Sequence, residues 1–210
     1  MGQYYRPTII APDGRVLSLI SHAFDNGAKL TEHSWISNDF VNAAYSLIHK
    51  SPKRVAWIGD YAEQEYETCG EAYAQVMPFD QFEKYYELAW GEAQEGLPPS
   101  LFSKRDLAVL DCDTKGMFLV NHDKRVYIDM AVYIRENTTK GGDWDGWCVN
   151  PLPLLTACGN GRGGGDYHEG HIGYDDVGIW AFDCLEYTNV VPNDYMETKF
   201  YFDEHKEVAV

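Results

Sequence analysis

Between Gly159 and Gly165 five of seven residues are glycine, interrupted only by Asn160 and Arg162. No other stretch constrains the fold as tightly. Such a run has the backbone freedom to take positive φ and to approach a ligand or another segment closely. It lies in the longer segment Asn150–His171, between Pro151-Leu152-Pro153-Leu154-Leu155 and Asp166-Tyr167-His168-Glu169-Gly170-His171. Successive N–H groups of Asn160, Gly161, Arg162, Gly163, Gly164 and Gly165 can form a nest for phosphate or carboxylate, with the Arg162 guanidinium adding a bidentate contact. The glycine spacing lacks the Lys-Ser/Thr of a phosphate-binding P-loop, and no helix-like sequence follows, so a dinucleotide-binding fold is disfavoured.

The same segment offers two catalytic constellations. Asp166 and His168 share a face in extended backbone, and His171 can swing round at Gly170, so an oxygen and two imidazoles can meet a divalent metal and its bound water. The alternative is a surface loop with solvated histidines, and no H-E-x-x-H or deaminase-like pattern supports the metal. Cys158 is a nucleophile only if His168 or His171 reaches it; a buried thiol explains it equally.

The chain has 210 residues, 45% of them hydrophobic, which suits one domain, residues 1–210, with a possible subdivision at 97–100. No apolar run of membrane-spanning length occurs and residues 1–10 lack a signal-peptide pattern, so a cytoplasmic protein without a membrane partner is expected. Five widely scattered cysteines without a C-x-x-C pair argue against a disulfide framework and a thiolate zinc site.

Net charge is −16, which argues against direct nucleic-acid binding and favours a basic protein surface as partner. Asp60 to Glu95 holds ten carboxylates against Lys84 alone. One reading is a solvated helix face. The other is a patch that imitates nucleic-acid phosphates, with Glu83, Glu87 and Glu92 meeting a basic groove and Tyr86, among other aromatics, as an anchor.

Hydrophobic patterning predicts an α+β fold, a mostly antiparallel sheet of hairpins with two or three helices. Tyr4–Ala11 and Val16–Ile20 form a hairpin about Pro12-Asp13-Gly14; Met117–Val120 pairs with Val126–Met130; Val177–Tyr187 pairs with Met196–Phe202. Arg54–Ile58 reads as an interior strand and Val109–Cys112 as a short apolar run. Residues 38–50 form a helix capped by Asn38 that buries Phe40, Val41, Ala44, Tyr45 and Ile48, and a second helix opens at Asp80 with Phe82, Tyr86, Ala89 and Trp90 on one face. Gly141–Trp147 is a loop whose Trp144 and Trp147 can stack on a base or a sugar or pack half-buried. Residues 204–210 read as a charged tail.

Met1-Gly2-Gln3-Tyr4-Tyr5, Val120-Asn121-His122, Pro151–Leu155 and Asn160–Asp166 resemble a family of uncharacterised proteins of bacteria and their phages. The resemblance spans most of the chain and implies a soluble domain of mobile-element origin with no assigned activity. Three functions are therefore weighed. The first is a stoichiometric binding protein, a phage-type antagonist of a host nuclease or defence effector. The second is a sponge for a small phosphate-bearing ligand, held by Gly161–Gly165 and Arg162 with Trp144 or Trp147 stacked on a base. The third is a metal-dependent hydrolase using Asp166, His168 and His171.

Overall fold

A computed structural model describes residues 2–62, 79–90, 100–102, 115–168 and 170–207. The strands are β1 Tyr5–Ile10, β2 Val16–Leu19, β3 Lys53–Gly59, β4 Ser100–Phe102, β5 Phe118–Asn121, β6 Val126–Asp129, β7 Ala157–Cys158, β8 His171–Ile172, β9 Cys184–Thr188, β10 Met196–Glu197 and β11 Asp203–Glu207. The α-helices among the described residues are α1 Leu30–His33, α2 Asp39–Ile48, α3 Phe79–Trp90, α4 Met130–Asn137 and α5 Pro151–Thr156. The fold is α+β. Its main sheet has nine strands in the order β10-β6-β5-β9-β3-β1-β2-β4, with β7 added beside β3. Most pairs are antiparallel; β2/β4, β3/β7 and β6/β10 are parallel.

β3 shows how the sheet is covered. One edge pairs with β1 along its length, and the other is divided between β9 at Lys53 and Arg54 and β7 at Trp57 and Ile58. Side chains alternate across a strand, and here both faces are apolar. Val55 and Trp57 join Ile9, Leu19, Phe40, Tyr45 and Leu152 in one core, whereas Ala56 and Ile58 join Ile10, Val16, Phe82 and Ala89 in the other. Helices α2 and α5 thus cover one face and α3 the opposite one.

The local signals act as expected in several elements. Asn38 Oδ1 accepts from the Phe40 and Val41 N–H groups, and the five apolar residues assigned to the α2 core are all buried. The β1/β2 hairpin pairs Ile9 with Leu17, and β5/β6 pairs Leu119 with Ile128. Three expectations change. Met196 and Glu197 do not turn back onto β9 but add in parallel to β6, because Met196 N–H donates to Arg125 O and Thr198 N–H to Tyr127 O. Residues 204–207, read as the start of a charged tail, belong to β11, which pairs with β8 in a separate two-stranded sheet. Residues 177–182 form turns, and β9 begins only at Cys184. The run Val109–Cys112 and the boundary at 97–99 lie outside the described residues.

Candidate functional site

α5 places the glycine loop. Asn150 caps it, its Oδ1 accepting from Leu152 N–H at 3.0 Å and from Tyr45 Oη at 2.8 Å. Pro151 and Pro153 fall in the first turn, where an amide hydrogen has no intrahelical partner to lose. At the other end Gly178 and Trp180 donate their N–H groups to Leu154 O and Leu155 O, satisfying carbonyls that the short helix leaves open. The chain passes directly into β7, and the loop therefore leaves from the carboxyl end of the parallel β3/β7 pair.

There it crosses the N-terminal segment. A Cβ on Gly163 would stand 2.6 Å from the Gln3 backbone nitrogen, so only glycine fits that crossing; Gly165 has φ +97°. Asn160 N–H donates to Gln3 Oε1, Arg162 N–H to Asn160 Oδ1, and Gly163 N–H to Asp166 Oδ2 at 2.8 Å. Thr31 N–H donates to Gly165 O. Three amides on which an anion nest depends are thus engaged by protein oxygens, and the carboxylate lying in the turn is the chain's own Asp166. Gly161 is half-buried, and Arg162 and Gly164 are exposed.

Asp166 is 2% exposed, and burial pushes its carboxyl up to about 6, against the bond from Gly163. Beneath it, Tyr5 Oη donates to Gln3 Oε1 at 2.9 Å, and Gln3 itself is fully buried. His168 is close enough to favour the Asp166 carboxylate but is exposed, and its N–H meets His171 Nδ1 at 3.3 Å. His171 opens β8 and sets its ring against Phe202. Among the described residues no group of three or more His, Cys, Asp or Glu side chains converges as a metal site. Cys158 packs in the core beside Phe82 and Ala89 with its thiol pushed up to about 12 by burial, in keeping with the buried-thiol reading.

α3 separates charge from aromatic surface. Glu83 and Glu87 are exposed, one turn apart. Tyr86 Oη donates to Asp60 O at 2.7 Å, Trp90 Nε1 donates to Ile58 O at 3.0 Å, and the Tyr85 ring stacks on Phe182. The Arg6 guanidinium lies 4.0 Å over the Trp90 ring. Tyr86, assigned as a partner anchor, is thus half-buried and bonded to the body of the protein. Glu92 lies outside the described residues.

Three groupings escaped sequence reasoning. Trp35 joins Trp147, with ring centroids 5.4 Å apart, and Trp144 borders Trp147 at 5.6 Å. His122 bridges Glu186 Oε2 at 3.0 Å and Tyr195 Oη at 3.1 Å, tying β9 to the loop before β10. A cleft of about 310 Å³ is lined by Lys53, Arg54, Tyr85 and Cys184, but Arg54 is paired with Asp123 and Lys53 donates to Ser51 Oγ and backbone carbonyls. Trp35 and Trp147 are 112 positions apart, and His122 lies 64 and 73 positions from Glu186 and Tyr195, beyond any local pattern. The one available signal was strand alternation, which puts Cys184 and Glu186 on the face opposite to the buried Leu185 and Tyr187. No protein-family model, no curated protein and no solved structure matches this chain.

Proposed function

We propose that the protein is a stoichiometric binding protein that offers carboxylates to a basic surface of the kind carried by nucleic-acid-binding proteins, acting as a phage-type antagonist of a host nuclease or defence effector. The observation that carries this reading is on α3. Its aromatic side is fastened to β3 through Phe82 and Trp90 and to the Asp60 carbonyl just beyond it through Tyr86, while Glu83 and Glu87 are exposed on the same helix. The packed helix presents both carboxylates one turn apart, and the net charge of −16 steers a basic partner toward them.

The test is competition. The protein is titrated into complexes of labelled duplex DNA with candidate host nucleases and DNA-binding proteins, and displacement is read by anisotropy at several salt concentrations. Displacement at one-to-one stoichiometry is expected, weakening as salt rises. The double variant Glu83→Lys, Glu87→Lys is expected to bind at least about tenfold more weakly and with a shallower salt dependence. Affinity unchanged by charge reversal at every ionic strength rules the reading out.

A further inference from the structure

We propose that Trp35, Trp144 and Trp147 form a binding platform for a neutral oligosaccharide, on a surface separate from α3 and independent of the reading above. The three indoles come from two distant segments. Backbone bonds join them: Ile36 N–H donates to Cys148 O at 3.0 Å, Asn150 N–H donates to Ser34 O at 2.9 Å, and Trp35 bridges Val149. Trp147 is the middle ring, tilted 38° to Trp35 and 67° to Trp144.

The loop that carries two of them is closed by its own backbone. Thr139 N–H donates to Trp147 O at 2.7 Å, Gly146 N–H to Thr139 O at 2.9 Å, and Trp147 N–H to Trp144 O at 3.0 Å. Gly141 N–H donates to Asp145 Oδ1 at 2.6 Å. Gly141, Gly142 and Gly146 take positive φ, which these turns require. This closure runs through backbone groups and the Asp145 carboxylate. Yet Trp144 stays 48% exposed, an apolar ring held half in water by a well-ordered turn. Preorganised aromatic surface of this kind binds ligands at a low ordering cost.

The surroundings select the ligand. Asp143 and Asp145 flank Trp144 in the chain and are exposed, as is Lys140 at the start of the loop, a local excess of one negative charge on a chain already at −16. Phosphate-bearing ligands are repelled there. A pyranose carries no charge, presents an apolar C–H face to an indole, and has hydroxyl donors at its rim for carboxylates to accept. Trp144 supplies the exposed stacking face, and the half-buried Trp147 and Trp35 adjoin it.

The experiment titrates the full chain with cellohexaose, maltohexaose and chitohexaose, following tryptophan fluorescence and calorimetric heat, with an oligothymidylate as the phosphate-bearing control. Saturable, salt-insensitive binding of at least one hexasaccharide is expected, at the millimolar affinity or better that a few stacked rings support. Trp144→Ala is expected to weaken it at least about tenfold, with Trp144→Phe retaining most of it. Asp143→Ala, a change at an exposed side chain, tests the rim should Trp144→Ala fail to fold; a loss of roughly three- to tenfold is expected. The proposal is overturned if none of the three sugars binds at about 5 mM, several times the weakest affinity expected, if the Trp144 and Asp143 variants bind as the parent does, or if oligothymidylate binds more tightly than every sugar.

Discussion

Asp166 lies under the glycine loop with its carboxyl pushed by burial up to about 6, from an ordinary value of 3.8. A folded-state value above the unfolded one favours the protonated fold, so this group adds stability fully below pH 3.8 that is lost as pH rises through 6; the difference is about 3 kcal/mol. His33 works in the other direction. It is fully buried, its Nδ1 facing Gly27 O at 3.1 Å and its Nε2 accepting from Trp57 Nε1 at 2.9 Å, and burial lowers it from 6.5 to about 4. That stability is complete above pH 6.5 and falls on acidification toward pH 4, again by about 3 kcal/mol. Between pH 6 and 4 the two slopes oppose one another. Asp166→Asn removes one of them, and on acidification across that window the variant is expected to lose urea-midpoint stability more steeply than the parent. Parallel curves for the two proteins overturn the assignment.

At the scale of elements, the described contacts hold α3 to the sheet through Phe82, Tyr86, Ala89 and Trp90. Phe82 is fully buried and meets Phe182 edge to face at 6.3 Å. Phe82→Ala removes that ring from the core shared with Ile58 and Ile10, and a loss of about 3–4 kcal/mol in unfolding free energy is expected. Chemical denaturation measures it; a loss below about 1 kcal/mol, the level of a surface substitution, contradicts the burial. The same helix face explains why aromatics at three- and four-residue spacing carry packing, while Glu83 and Glu87, which alternate with them, are exposed.

For the whole molecule, charge dominates. A net −16 on 210 residues means that carboxylates repel one another across the surface, which opposes compaction. Raising salt shortens the screening length from about 30 Å at 0.01 M to about 8 Å at 0.15 M. The melting temperature is therefore expected to rise over that range, by calorimetry, and a flat or falling profile contradicts the dominance of self-repulsion. Among the described residues no helix is long and apolar enough to cross a membrane.

How much of this was legible varies by interaction range. The β1/β2 hairpin, the capped α2 and the doubly buried β3 were readable because turn residues, a side-chain cap and apolar runs act within a few positions. The glycine loop was recognised as a place of close approach, and its neighbour is the buried Gln3. What the sequence left open was direction and partner. Alternation marks a strand's faces but not the strand beside it, so the parallel seats of β10 on β6 and β7 on β3 came only from long-range hydrogen bonds. Pro151–Thr156 became a helix because an asparagine cap and the 178–180 backbone satisfied its ends. Asp166 turned inward and Trp35 reached Trp147 for the same physical reason: burial and contact depend on segments folded from far along the chain, and no local pattern encodes which segments those are.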